Sequence, residues 1–475
     1  MISDLYKNIF VIGGNASGLA AESKARRVNS DLNITVLESG NYISYGSCGL
    51  PYFISGIVQN IEDLFTYTKD FFEEKRKIKI LLNHRVVSIN PSRKEITAIT
   101  ELNNNSSNSY KNIVFNYDRL IICSGASPVK FEIPGINSVN VFYFRNIEDT
   151  INIKNFIIHN SPKKASIIGG GSIGLLIAEA LNKLGIKVTV IESEDKIFND
   201  YENEITDTLN NTLKKSGIEI IPKSTVDLII FNKSTNMCYA LNASTKVGST
   251  MERFDLETDL VIIAAGIIPN TDFLKGSFID TGQKNAIKVS PKQQTSQSNI
   301  YAAGDCCLVK NIITKRHDYI PTASNAIKTG RIAGANAAGS NEEFAGSAGT
   351  KVDRILGLEI AKTGIGFNEA LEYRFNAIKI TDSYPSHIKA IPGSQDITIT
   401  LIIDKSSRKL LGAQMIGKEG VAKRIDIFAT ALASGMTVDD IYMLDLSYAP
   451  SISTAPDAVN KICGKAPIML NKLKF

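Results

Sequence analysis

The stretch Ala165-Ser166-Ile167-Ile168-Gly169-Gly170-Gly171-Ser172-Ile173-Gly174 decides how the chain is read. Ala165 to Ile168 reads as a short buried strand. Gly169, Gly171 and Gly174 fit the spacing GxGxxG, and Lys187 to Ile191 reads as a second strand ending on Glu192. The first glycine of such a loop permits a tight turn, the last lets helix and strand pack closely, and the helix N-terminus faces a pyrophosphate. A carboxylate closing the second strand accepts hydrogen bonds from a ribose diol and repels a 2′-phosphate. The segment therefore predicts a dinucleotide-binding βαβ unit that favours NADH over NADPH. No arginine follows Glu192 closely enough to reverse that preference.

The same pattern stands at the start of the chain. Asn8-Ile9-Phe10-Val11-Ile12 runs into Gly13-Gly14-Asn15-Ala16-Ser17-Gly18, and a helical pattern follows through Leu19, Ala20, Ala21 and Ala25. Asn33 to Leu37 then reads as a strand closed by Glu38, again placed for a ribose diol. Asn15 replaces the middle glycine, so this copy is weak alone, but the pair predicts two bound dinucleotides. Two further apolar runs end in glycine, Leu120 to Pro128 through Ser124 and Gly125, and Leu260 to Thr271 through Gly266; each reads as a crossing between domains. Ser298 to Asp305 is another strand, ending in Gly304-Asp305, and Pro321 to Ala338 carries a helix. An aspartate at such a strand end can take the hydroxyls of a ribityl chain, or else cap a turn.

The polar run Asn103 to Asn108 reads as a hairpin or surface loop, and the small, polar residues from Gly339 to Thr350 mark a domain boundary. Beyond it the pattern changes. Ile397 to Asp404 and Lys409 to Gly417 read as an antiparallel pair turning at Ser406-Ser407. Gly420 to Ser434 is an amphipathic helix stopped by Gly435, and Thr437-Val438-Asp439-Asp440 resembles the cap of the next helix. This α+β module has no nucleotide motif and suits dimerisation. The fold class is α/β: two Rossmann-like dinucleotide-binding domains with a C-terminal α+β dimerisation domain.

At 475 residues the chain exceeds one core, and 43% apolar with 21% charged residues is an ordinary globular composition. A net charge of +5 is too small at this size to point to nucleic acid or membrane. No apolar run reaches the ~18 residues of a membrane span, and the first residues lack the layout of a signal peptide. The six cysteines therefore read as thiols of a cytoplasmic protein rather than a disulfide framework, and without zinc spacing and with only four histidines no metal site is expected.

One of those cysteines lies in Tyr42-Ile43-Ser44-Tyr45-Gly46-Ser47-Cys48-Gly49-Leu50-Pro51-Tyr52, directly after the first nucleotide unit. Small neighbours and an adjacent helix start would favour its thiolate. The alternative is a small buried hydrophobe.

With these pieces in order, nearly the whole chain resembles the pyridine nucleotide–disulfide oxidoreductases, in particular their single-cysteine branch, which includes coenzyme A disulfide reductase. The resemblance implies an FAD-binding domain in two parts, 1–147 and 280–342, an NAD(P)H-binding domain at 148–279 and a dimerisation domain at 343–475. It implies FAD held by Gly13, Gly14, Ala16, Ser17, Gly18, Glu38, Ser39, Ser47, Val86, Ser124, Gly125, Gly304, Asp305 and Ala323. The second dinucleotide, NADH with NADPH as the other candidate, would meet Gly169, Gly171, Ser172, Ile173, Gly174, Glu192 and Gly266. A two-cysteine relative would show C-x4-C, but positions 43 and 53 are Ile and Phe. Cys48 would therefore oxidise to a mixed disulfide with a small thiol, a persulfide or a sulfenic acid. A homodimer would bring Tyr448 of Tyr448-Ala449-Pro450 to the site as a proton donor for a leaving thiolate, a packed core tyrosine being the alternative.

Departures sort the branch. Oxidases and peroxidases carry a histidine where this chain has Ala16, which disfavours peroxide and oxygen as substrates. The helix Lys418 to Asp426 and the Tyr448 segment match the coenzyme A enzymes. Against that, Ser47 replaces an asparagine, Ala390-Ile391-Pro392-Gly393 lacks a second tyrosine, and Ser451-Ile452 stand for Pro-Tyr. Ser172 and Leu176 replace a tyrosine and a glutamate beside the flavin. The expected activity is reduction of a small disulfide or persulfide, coenzyme A disulfide favoured; an NADH oxidase or peroxidase and a slow flavin redox sensor are the other two readings. Arg27 is a candidate for substrate phosphates and Lys24 reads as a solvated face; Cys306 and Cys307 read as structural.

Overall fold

The computed structural model describes residues 7–102 and 109–472, so the Asn103–Asn108 run and the first six residues lie outside it. Short runs of Ile, Val and Leu become two five-stranded parallel sheets because strands buried on both faces need no polar alternation. In the first, the order is Ile300–Ala302, Arg119–Ile122, Asn8–Ile12, Asn33–Leu37 and Ile78–Leu81. In the second it is Glu219–Ile221, Lys187–Ile191, Lys164–Ile168, Leu260–Ile263 and Val141–Tyr143.

The likeness between the two units extends past the glycine loops. Each carries a three-stranded antiparallel sheet, Arg85–Asn90 with Glu95–Leu102 and Ser109–Asn116 in one, and Ser224–Asn232 with Met237–Val247 and Thr250–Glu257 in the other. The chain passes between the units where Ala126–Pro128 pairs antiparallel with Ile267–Pro269. Ser124 and Asn270 lock that crossing: the Ser124 hydroxyl donates to the Asn270 carbonyl at 2.7 Å and the Asn270 amide donates back to the Ser124 carbonyl at 2.8 Å.

The helices Ala16–Val28 and Ala323–Ala337 pack backbone to backbone. A Cβ on Gly330 would lie 2.3 Å from the Ser17 carbonyl oxygen, and one on Gly334 would lie 2.0 Å from that of Ala21, so only glycine allows this approach. This contact and the pairing of Ile300–Ala302 return the chain to its first sheet after the second unit is complete.

Beyond residue 350 a five-stranded antiparallel sheet follows in the order Lys351–Ile355, Leu358–Gly364, Leu410–Gly417, Asp396–Asp404, Ala377–Pro385. The helices Val421–Ser434 and Ala458–Lys472 share its apolar core. Arg424 and Asp457 tie these helices together in a buried pair, with Arg424 Nε at 3.0 Å and Nη2 at 2.7 Å from the carboxylate.

Candidate active site

The first glycine loop sits at the C-terminal ends of its parallel strands, where open α/β sheets bind ligands. Gly13 has φ +106°, and a Cβ there would lie 2.2 Å from the Cys123 carbonyl oxygen; a Cβ on Gly18 would lie 1.9 Å from the Gly13 carbonyl. The loop therefore hugs both neighbouring strands. Asn15 caps the helix in an extended conformation without a side-chain cap bond, which leaves first-turn N–H groups facing the crevice. Glu38 Oε2 accepts the Gly14 N–H at 2.7 Å and Oε1 accepts that of Gly40 at 2.8 Å, so the carboxylate is aimed before any ligand arrives.

A cavity of about 660 Å³ opens here, within the size range of small-molecule and cofactor sites. Gly13, Gly14, Glu38, Ser39, Ser47, Val86, Ser124 and Gly125 line it. Ser17, Gly18 and Gly304 are closely packed beside it: a Cβ on Gly304 would meet Ser17 Oγ at 2.5 Å. Asp305 is paired with Arg145 at 3.0 Å, and Arg145 also donates to the Ala126 carbonyl at 3.0 Å. Arg145 lines the cavity and was not foreseen. Burial, with Glu38 and Glu148 nearby, pushes the Tyr45 hydroxyl up to about 12, which keeps it a neutral donor at the cavity wall. A diol acceptor, a phosphate-ready helix end and this volume fit an FAD.

A second cavity, about 1,090 Å³, lies on the other side of the loop. Asn15, Tyr45 and Ser47 line both cavities and form the seam between them. Ala16 and Ala323 belong to this second cavity and not to the first, because each begins its helix on that side. Cys48 lines it too, and it is free and exposed, whereas the other five cysteines are buried. It sits inside the 3₁₀ turn Ser47–Gly49, one step before the helix Leu50–Ile54. Leu50 and Ile54 are buried in the same core as Leu175 and Ile177 of the second glycine-loop helix, so the cysteine turn is anchored on the second unit. Ile43 and Phe53, where a second thiol would stand, are buried hydrophobics.

Basic and aromatic side chains complete the second cavity: Arg26, Arg27, Lys75, Arg76, Lys77 and Arg331, with Tyr67 and Phe72. The guanidinium of Arg76 lies 5.1 to 5.6 Å from the rings of Tyr67, Phe71 and Phe72. Arg27 thus reaches the cavity, while Lys24 is paired with Glu342 at 2.8 Å. The run Lys75-Arg76-Lys77 after three aromatics was the sequence signal for this basic wall, and it was missed.

The second glycine loop repeats the first. Glu192 Oε2 accepts the Gly170 N–H at 2.6 Å, Gly169 has φ +110°, and a Cβ on Gly174 would lie 2.0 Å from the Gly169 carbonyl. Gly171 caps the helix Ser172–Lys183, Ile173 packs on the core, and Gly266 turns the chain at the crossing with φ +95°. The hydroxyl of Ser172 donates to Asp353, which reaches over from the C-terminal sheet. Tyr448 is half-exposed on the C-terminal domain and lines neither cavity of its own chain. Cys306 and Cys307 are buried with sulfurs 3.7 Å apart. Among the described residues no group of three or more His, Cys, Asp or Glu is arranged to hold a metal, and no helix is long and apolar enough to cross a membrane.

Residues 7–330 match the family described as pyridine nucleotide-disulphide oxidoreductase, and residues 355–459 match its dimerisation domain. The chain belongs to this family of oxidoreductases, which use FAD and NAD(P)H. It is 31% identical over 455 residues to the NAD(P)H sulfur oxidoreductase (CoA-dependent) of Pyrococcus abyssi, covering 95% of this chain and 96% of that one. It is 29% identical over 467 residues to the coenzyme A disulfide reductase of Staphylococcus haemolyticus, covering 97% and 99%. The crystal structure of reduced Bacillus anthracis CoADR-RHD superposes with a TM-score of 0.90 at 32% identity, over 98% of this chain and 81% of that one.

Proposed function

We propose that this chain reduces the disulfide or persulfide of a small thiol with NAD(P)H through a single redox-active cysteine, Cys48, and that coenzyme A disulfide is the favoured substrate. The observation that carries this reading is the position of Cys48, the one exposed thiol among the described residues, in the basic cavity and next to Ser47 at the seam with the dinucleotide cavity. Residues 1–147 and 280–342 form the FAD-binding part in this reading, 148–279 the NAD(P)H-binding part and 343–475 the dimer contact. The likeness of two relatives named for coenzyme A supports the choice of substrate, as does a basic wall suited to phosphates.

Gly13, Gly14, Glu38 and Ser39 would hold the nucleotide half of FAD, and Ser47, Val86, Ser124 and Gly125 the remainder. FAD, when bound, supplies the transfer of an electron pair from reduced nicotinamide to sulfur. Cys48 does the rest. Its thiolate attacks one sulfur of the disulfide RSSR, forming a Cys48–SR bond and releasing RS⁻. Tyr448 of the partner subunit protonates that leaving thiolate in a homodimer. Two electrons then cleave Cys48–SR to the thiolate and a second thiol, so that RSSR, NADH and H⁺ give two RSH and NAD⁺. Ile43 and Phe53 leave Cys48 no resolving partner in its motif, which makes the small thiol itself the partner.

The test is anaerobic titration of the purified protein with NADH and then with coenzyme A disulfide, following flavin absorbance. Bleaching by NADH and recovery on adding the disulfide, both with the wild type, and no recovery with Cys48→Ser, is the expected result. Recovery by oxygen or peroxide alone would replace the reading with an oxidase or peroxidase. Failure of NADH to bleach the flavin would replace it with a redox sensor.

A further inference from the structure

Glu22 lies in the first helix, beneath the basic cavity, and is fully buried. Its Oε1 accepts the Ser23 hydroxyl at 2.6 Å and stands 3.9 Å from Arg76 Nη1, while Oε2 has no hydrogen-bond partner among the described residues. Arg76 in turn donates to the Ser23 hydroxyl. A fully buried carboxylate with an unsatisfied oxygen is costly unless a cation offsets it or a proton neutralises it. Arg26 is already committed, donating to the carbonyls of Arg76 at 3.0 Å, Ser30 at 2.5 Å and Lys77 at 2.8 Å. Arg76 is therefore the cation that both Glu22 and a ligand in the cavity compete for.

We propose that Glu22 is a positioning residue that couples the binding of a phosphate-bearing thiol in the basic cavity to the uptake of a proton. The proposal rests on the substrate reading above. With Glu22 ionised, Arg76 is held inward against Glu22 and Ser23. An anion that draws Arg76 away leaves the carboxylate buried without its counter-charge, and a proton from solvent then neutralises it. Linkage makes this reciprocal: protonated Glu22 frees Arg76 and strengthens anion binding.

The surroundings agree. On its own helix Glu22 faces Ser23, Arg26 and Arg27; from the turn after Phe71–Lys75 it faces Arg76, with Lys75 and Lys77 on the outer side. Glu73, within Phe71–Lys75, is engaged by the Ile80 N–H and by Lys69. The helix Ala323–Ala337 brings Arg331 to the cavity and leaves Lys328 exposed. The strands beneath contribute Ile34, Val36, Ile78 and Ile80. Burial pushes the Glu22 carboxyl up to about 7 against the pull of Ser23, Arg76, Arg26 and Arg27, so the exchange falls near neutral pH.

The experiment is calorimetry of coenzyme A binding to the FAD-loaded Cys48→Ser protein, in buffers of different ionisation heat, with and without Glu22→Gln. At pH 7 the Glu22 protein is expected to take up about half a proton more per coenzyme A than the Gln variant. Its affinity relative to that variant is expected to rise about tenfold from pH 8 to pH 6. Taking the difference removes the ionisation of the ligand's own phosphate, whose second pKa is about 6. Binding with equal uptake in both proteins overturns the role of Glu22 and leaves the substrate reading intact. No binding to the Glu22 protein overturns both. If Glu22→Gln does not fold, the Glu22 protein alone decides: a pH profile without net uptake centred near 7 overturns the proposal.

Discussion

Ser172, at the start of the second glycine-loop helix, donates its hydroxyl to Asp353, a residue 181 positions later on the first strand of the C-terminal sheet. The C-terminal domain thus places a carboxylate beside the helix end where a dinucleotide pyrophosphate is expected. Burial raises the Asp353 carboxyl above its usual range, against the Ser172 hydrogen bond and Lys351. Replacing Asp353 by Asn keeps a hydrogen-bond acceptor and removes a charge facing phosphates. The KM for NADH is expected to fall about two- to fivefold, the scale of one charge at a helix N-terminus, as steady-state kinetics will read directly.

Glu192 is aimed by the N–H groups of Gly170 and Glu194. Glu192→Ala deletes the carboxylate proposed to accept from the ribose, together with its charge. The kcat/KM with NADH is expected to drop about tenfold, the cost of one charge-assisted hydrogen bond, while that with NADPH holds or rises. An unchanged ratio between the two nucleotides would exclude Glu192 from the ribose site.

Asp200 joins the second unit to the C-terminal sheet through Lys351 at 2.7 Å and Lys362 at 3.0 Å. Burial pushes its carboxyl up, but Lys362 and Lys351 together bring it down to about 2. A folded pKa below the unfolded value of about 3.9 gives stability that is complete above pH 4 and lost as pH falls toward 2. The Asp200 side chain is 41% exposed, so solvent screening reduces the contribution to about 1 kcal/mol. Urea unfolding at pH 7 should show Asp200→Asn weaker by that amount, with the gap closing between pH 4 and pH 2.

Arg424 and Asp457 are buried together, at 9% and 7% side-chain exposure. Arg424→Met strands the Asp457 carboxylate in the core and is expected to destabilise the C-terminal domain by about 3–5 kcal/mol. Adding Asp457→Leu removes the stranded charge and should recover most of the loss in the same denaturation experiment.

Both glycine loops were legible in the sequence because backbone approach leaves few residue choices. Gly18 and Gly174 each face a carbonyl at a distance no Cβ tolerates, so their spacing is a steric record. Cys48 was legible from its small neighbours and its place after the first loop. Glu22, Arg145 and Asp353 were not. Each acts on a partner distant in sequence or on a wall that exists only once the helices pack, and none belongs to a local pattern. Ser172 shows the difference well: from sequence it is a missing tyrosine, and in the fold it is one half of a contact between domains. The helix start at Ala323 can be read from sequence, but the side of the loop that it faces cannot.

The return of Ile300–Ala302 and Ala323–Ala337 to the first sheet and helix bears on how the chain is made. Translation runs from the first helix, which ends at Val28, to the helix that covers it, which ends at Ala337. At roughly 5–20 residues per second, that interval lasts on the order of tens of seconds. During it the nascent chain carries a bare helix face and, from the synthesis of Arg119–Ile122 until that of Ile300–Ala302, an unpaired strand edge. The second unit, contiguous from Val141 to Ile263, has its whole sheet on the same side of that delay. The ribosome therefore releases the inserted unit in foldable form well before the unit into which it is inserted.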